Sequence, residues 1–303
     1  MEHSEFLNAK QVAEYLDLNE KKVYALANDG QLPATKITGK WLFPKSLLDK
    51  WIIDSCHNGA FSDRLLIAGS DDPLLQMIVG KMGNQLGSNA LVGYTSTGSR
   101  QGLSLLSKGH VDICAIHWGQ ASEAPLRHPA LLQQYTGSRN WVLIHAYERV
   151  QGIIINPKLV GISDAITSSN SIELTSKQYK WGLRQQGAGS LRTLDEWLHA
   201  KKLSINDLNA EQTYFSEREL GAAIACSEID VGCGSQSTAG EYQLTFIPLY
   251  TEAFELVIPK NIFFKTLVQH MLNELKDTEV HRRGDRLGGY SFARSGLQIW
   301  SGS

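Results

Sequence analysis

Residues 7–52 read LNAKQVAEYLDLNEKKVYALANDGQLPATKITGKWLFPKSLLDKWI, and the order of caps, apolar pairs and turns in this stretch sets the architecture of the first part of the chain. Asn8 is a good N-cap for a short helix over residues 9–16, in which Val12 and Leu16 form an i, i+4 apolar pair. Asp17, Leu18 and Asn19 make a tight turn, and Asn19 can cap a second helix over residues 20–28 that Gly30 ends. Two short helices joined by three residues have helix-turn-helix spacing. On the second helix Val23, Leu26 and Ala27 share one face, which leaves Lys21, Lys22 and Tyr24 to point outward. Residues 32–37 read as a strand, 38–40 as a turn and 41–43 as the returning strand of a wing. Pro44 suits the first turn of a further helix, with Leu47, Leu48, Trp51 and Ile52 as its apolar stripe.

The same 46 residues resemble the excisionase and MerR-like winged DNA-binding domains. The resemblance implies that the second helix enters the major groove, which nominates Lys21, Lys22 and Tyr24 there and Lys36 and Lys40 for phosphates. Leu42 follows the wing tryptophan Trp41, where many relatives have arginine, so the wing is less basic than usual. A segment with about as many acids as bases grips DNA modestly as one copy, and a homodimer is expected. The alternative reading is a small helical protein-interaction module with solvated lysines.

The 303 residues suffice for two or three folding units, with 42% hydrophobic and 20% charged residues and a net charge of −2. That balance excludes bulk disorder and removes any whole-chain electrostatic case for nucleic acid. No leader-like segment and no apolar run of spanning length is evident, so a cytoplasmic protein without membrane contact is expected. Cys56, Cys114, Cys226 and Cys233 lack the spacing of a zinc knuckle or a redox pair; reduced structural thiols, no protein-ligated metal and no cofactor are expected.

The expected domains are a winged helix-turn-helix over 1–55, a linker over 56–62 and a larger domain over 63–303. In the latter, strand, polar loop and helix alternate: 65–68, then Gly69 to Pro73, then a helix with Leu74, Leu75, Ile78, Val79 and Met82; 91–94, a loop over 95–99, a helix over 100–108; and a strand over 111–116. Strands over 141–146 and 152–155 follow. A second series has a strand over 179–183, a loop over 184–190, helices over 191–200, 217–227 and 237–242, and strands over 229–233, 245–248 and 254–258. A long helix over 261–276 comes next. This grammar predicts an α/β class with an open, largely parallel sheet, whose ligand sits beyond the carboxyl ends of the strands at helix N-termini.

Two α/β lobes, with crossings near 147–152 and 250–255, look like the type II periplasmic-binding-protein fold, lobe I taking about 63–148 and 256–303 and lobe II about 152–250. Residues 68–74, 98–103, 112–117, 184–190 and 254–259 resemble the cytoplasmic binding-protein-like domain related to molybdate-binding proteins, and Gly288-Gly289-Tyr290 also fits. The resemblance implies molybdate or tungstate as ligand. A tetrahedral oxyanion needs donors, which Ser70, Ser96, Thr97, Ser99 and Ser190 supply as hydroxyls, Gly187 and Gly189 through close backbone approach, and Arg184 as charge. His117, at a strand end, reads as a hydrogen-bonded residue at the cleft; with Tyr94 and Trp118 it could instead line a roomier site for a small organic anion. Asp71 and Asp72 oppose an anion unless they cap a helix.

A DNA-binding head joined to a hinged receptor implies a one-component, ligand-responsive transcriptional regulator rather than an enzyme, because no GxSxG, HExxH or Walker loop is present. An oxyanion-storage or molybdenum-cofactor accessory role is the alternative.

Overall fold

In the computed structural model, helix α1 (Ala9–Leu16) starts where Asn8 and Gln11 exchange side-chain-to-backbone hydrogen bonds of 2.9 Å each, a capping box. Residues 6–37, 39–55, 64–159, 178–210 and 212–302 are described; the expected linker over 56–62 lies outside them. The chain divides into two compact units, Met1–Ser62 and Asp63–Ser303.

In the first unit α1 ends on Asp17, held in the left-handed conformation at φ 53°. Asn19 then caps α2 (Glu20–Asn28) through the Lys22 N–H at 2.8 Å. The wing is the hairpin β2 (Thr35–Ile37) and β3 (Lys40–Pro44); a short strand β1 (Phe6–Leu7), without a sequence signal of its own, pairs with the other edge of β3. Pro44 thus closes β3, and α3 (Lys45–Ser55) begins one residue later. Val12, Val23, Phe43 and Leu48 are fully buried in a common core, while Leu47, expected on the apolar stripe, is 49% exposed. Tyr15 and Lys45 both bind the Asp49 carboxylate, at 2.7 and 2.8 Å, tying α1 to α3.

The second unit is one mixed sheet in the order β5-β4-β6-β11-β7-β10-β8-β9, with β12 (Tyr290–Ser291) and β13 (Gln298–Ser301) also on β7. In lobe I, β4 (Arg64–Gly69) lies parallel to β5 (Leu91–Ser96) and β6 (Ile113–Ile116). In lobe II, β8 (Trp181–Arg184) lies parallel to β9 (Gln212–Tyr214) and β10 (Val231–Ser235). Between them run β7 (Trp141–Ile155) and β11 (Thr245–Pro259), antiparallel, each a continuous strand of 15 residues where two pairs of short strands were expected. The sheet is therefore parallel only in its outer strands.

Helices α4 (Pro73–Leu86), α5 (Ser99–Ser107), α6 (Ala124–Leu132), α10 (Thr266–Glu274) and α11 (Thr278–Leu287) belong to lobe I. Helices α7 (Gly189–Ala200), α8 (Glu217–Ala225) and α9 (Gln236–Tyr242) belong to lobe II. The expected long helix over 261–276 is a 3-10 turn at Lys260–Ile262 followed by the shorter α10. Separate apolar cores fill the lobes: Leu74, Ile78, Met82, Ile144 and Leu256 in the first, Ile153, Trp181, Leu194 and Leu198 in the second. Two crossing strands join the two self-contained cores.

Candidate ligand cleft and DNA-binding surface

Gly102, one turn into α5, has no room for a Cβ, which would stand 2.7 Å from both the Cys114 sulfur and the Gly69 Cα. That close seat brings the first turn of α5 to the carboxyl end of the sheet. Across the cleft, Gly189 opens α7 directly against the imidazole of His117, where a Cβ would collide with the ring. Between these two helix starts lies a cavity of about 510 Å³. Lobe I lines it with Ser99, Arg100, His117 and Trp118, and lobe II with Gly187, Ala188, Gly189, Arg192, Asp195 and Glu196 among others.

The N-caps of α5 and α7, Gly98 and Ala188, make no side-chain capping bond. Helices α4, α8 and α9 are each capped by a side chain, from Asp72, Ser216 and Ser235. The first backbone N–H groups of α5 and α7 therefore remain available where the two helix dipoles are positive.

Of the residues expected to bind ligand, Ser99, His117, Gly187 and Gly189 line this cavity. Ser70 stands behind Ser99, hydroxyl to hydroxyl at 2.7 Å, and its carbonyl accepts the Tyr94 hydroxyl. Ser96 ends β5 with its hydroxyl buried and without a partner; with Thr95 it belongs to the strand and not to the expected loop. Thr97 is used across the lobes, its carbonyl accepting the Gln185 amide at 3.1 Å. Ser190 is buried in the first turn of α7. Arg184 is not on the cavity wall; it donates to the carbonyls of Tyr214 and Phe215, and burial lowers its pKa. Arg100 and Arg192 line the cavity without having been singled out, since an arginine one turn into a helix looks like any solvated one.

Beneath the cavity a buried polar network gathers around Arg149 on β7. The guanidinium donates to Glu252 at 2.7 Å, to the Asp72 carboxylate at 2.9 Å and to the Asp71 carbonyl at 2.7 Å, and lies 3.5 Å from Glu217. Arg149 and Glu252 are Cα partners on the two crossing strands. Glu252 also takes His117 Nδ1 at 2.6 Å and Gln151 at 2.9 Å. Burial pushes the Glu252 carboxyl up, but His117 and Arg149 hold it down at about 2. Burial likewise opposes ionisation at Glu217, but Arg149, Arg184, His117 and the Ser235 hydrogen bond together outweigh it, and its pKa is lowered.

The two aspartates have separate roles. Asp72 caps α4 through the Leu75 N–H at 2.9 Å and accepts the hydroxyls of Tyr147 and Tyr290. Asp71 reaches across to lobe II, where it accepts the Glu217 N–H at 2.7 Å and the Arg218 N–H at 3.3 Å. It sits where an anion would sit on α8, and burial, then the Glu217 charge, raises its pKa. The carboxylates that looked hostile to an anion are thus spent within the protein.

In the first unit Lys21, Lys22 and Tyr24 are exposed on α2, and Lys36 and Lys40 on the wing, with Lys36 5.6 Å from the Trp41 ring centre. Among the described residues no group of three His, Cys, Asp or Glu side chains could hold a metal ion, and no helix is long and apolar enough to cross a membrane. Cys114, Cys226 and Cys233 are free thiols.

A family model described as a PBP superfamily domain matches residues 82–276, and one described as a helix-turn-helix domain matches residues 6–54. No curated protein matches the sequence. Among solved structures, the tungstate ABC transporter protein of Geobacter sulfurreducens aligns with TM-score 0.51 at 12% identity, over 73% of this chain and 97% of that one. A putative phosphate ABC transporter substrate-binding protein of Clostridium perfringens, with bound phosphate, aligns with TM-score 0.51 at 12% identity, over 74% and 97%. A cysteine-to-serine mutant of Corynebacterium glutamicum OxyR, bound to hydrogen peroxide, gives 0.51 and 12% over 92% of this chain and 90% of that one. At such identities the likeness is one of fold. The family match takes in the crossing strands, lobe II and part of lobe I, and the chain belongs to the PBP superfamily, with a helix-turn-helix domain ahead of its two-lobed domain.

Proposed function

We propose that this chain is a DNA-binding transcriptional regulator whose two-lobed domain senses a small oxyanion, molybdate or tungstate first, at the cavity between α5 and α7. The observation that carries the reading is the pair of uncapped helix starts, one from each lobe, opening on one cavity that Arg100 and Arg192 also line. An anion there bridges two positive helix ends and favours the closed arrangement of the lobes. A tungstate transporter protein and a phosphate-bound protein among the fold relatives support an oxyanion. Control of DNA binding then requires that the ligand bind one lobe arrangement more tightly than another. Two heads in a homodimer supply the grip on DNA that one nearly neutral head lacks.

A second reading, a small organic anion, is favoured by the cavity volume of about 510 Å³ and the Trp118 indole on its wall, more room than a bare oxyanion needs. A melting-temperature screen with molybdate, tungstate, sulfate, phosphate and small carboxylates separates the two. A ligand at a hundred times its Kd stabilises by about 2.7 kcal/mol. A shift with molybdate or tungstate alone supports the first reading; a shift with carboxylates alone replaces it with the second.

A further inference from the structure

Helix α11 carries Arg282, Arg283 and Arg286, all exposed, on adjacent turns of one face, while Val280, Gly284 and Leu287 face inward. The three guanidinium groups form no hydrogen bond or ion pair among the described residues. With Met77 and Lys81 of α4 they border a concavity of about 480 Å³ on lobe I. Two nearby acids are engaged by Lys81, Glu274 at 2.8 Å and Asp277 at 3.3 Å. Glu279, a turn before Arg283 on the same helix, also lines the concavity with its side chain 75% exposed, so the lining sets four cationic side chains, Lys81 and the three arginines, against one acid. Asp285 is the remaining exposed acid of the helix.

The head has the opposite composition. Between Phe6 and Asp54 it holds seven lysines, no arginine and six acidic residues. Arginine, with its planar fork, is the side chain best matched to phosphate, and it is missing from the unit that reads DNA.

We infer that the Arg282, Arg283 and Arg286 face of α11 is a second contact with duplex DNA, gripping backbone phosphates. The partner chemistry follows from the charge: three free forked donors beside a shallow concavity fit a row of backbone phosphates, and they carry no base-reading geometry of their own. This rests on the DNA-binding reading of the head.

The test uses the full chain and fluorescence anisotropy over a range of salt, with a duplex of about 12 base pairs, enough for one head, and one of about 40 base pairs. The variants are the triple substitution Arg282→Gln, Arg283→Gln and Arg286→Gln, its Arg→Lys counterpart, and Lys21→Ala with Lys22→Ala. On the long duplex the triple Gln variant is expected to bind at least about tenfold more weakly, with the slope of log Kd against log salt reduced by about 2.7 for each chain. The short duplex should not distinguish it from wild type, and the Lys version should keep the wild-type slope. Unaltered melting temperatures check that the exposed substitutions leave the fold intact. Wild-type affinity and slope for the triple Gln variant on the long duplex would overturn the inference. Failure of the head reading has a different signature: Lys21→Ala with Lys22→Ala leaves short-duplex binding intact, or the wild type binds neither duplex.

Discussion

Arg149 is the centre of the buried polar network on the crossing strands. A fully buried guanidinium and the carboxylates of Asp72, Glu217 and Glu252 would each be costly alone, and together they satisfy one another. Its pKa is raised, because those three charges outweigh the lowering effect of burial. Replacing Arg149 with Met should cost about 3–5 kcal/mol in urea unfolding, since it strands buried carboxylates without a counter-charge. Arg149→Lys should recover part of that, because one ammonium cannot serve three forked partners. A stability near wild type for Arg149→Met would mean that the carboxylates find other partners. None of this was legible in the sequence: residues 147–152 were expected only as a crossing between lobes, and a charged residue gives no sign that its partner lies 103 positions away.

At the scale of elements, the sequence was most readable where local chemistry decides. Asn8, Asn19 and Asp72 cap the helices that follow them as side chains of that type should. The helix-turn-helix and the alternating elements of lobe I follow from such signals. The long strands β7 and β11 were split because their middles carry buried polar side chains, which interrupt any apolar period, and because Pro248 falls inside β11, beside a register shift in its pairing with β7. The candidate cleft was half legible. Glycines and serines at helix starts pointed to the cleft, whereas the use of Thr97 and Arg184 as structural groups depends on contacts 88 and 30 residues apart. The helix starts also support a prediction. Arg100 is exposed in the first turn of α5, so Arg100→Glu should leave stability within about 0.5 kcal/mol. It should weaken the oxyanion or organic anion at least about tenfold by calorimetric titration, through charge reversal at close range. Undiminished affinity would move the anion away from α5.

Across the whole molecule, acid sensitivity gathers on the two crossing strands. Glu255 on β11 takes His128 Nδ1 at 2.5 Å and lies 3.5 Å from His145 Nδ1 on β7, all three nearly or fully buried. Burial opposes its ionisation, but the hydrogen bond from His128 and the nearby His145 hold it at about 2, the value Glu252 also reaches. A carboxyl held below its unfolded value of 4.5 stabilises the fold fully above that pH and loses the contribution as pH falls towards 2. Each glutamate supplies on the order of 3 kcal/mol in this way. Asp71 acts in the opposite sense: its raised pKa makes the charged form unfavourable in the fold, so its own contribution is lost as pH rises through that value and partly offsets the glutamates in acid. Glu217, also lowered, acts in the same sense as Glu252 and Glu255, and Asp71 alone opposes the three, so the urea midpoint should stay level from neutral pH down to about 5 and then fall steeply between about 4.5 and 2. Glu255→Gln should flatten that fall, because a neutral amide has no proton to take up. Since Glu252 and Glu255 pair β7 with β11, the loss should appear in the two lobes together, as one transition by fluorescence and circular dichroism. Separate transitions for the lobes would mean that the crossing strands do not carry the coupling.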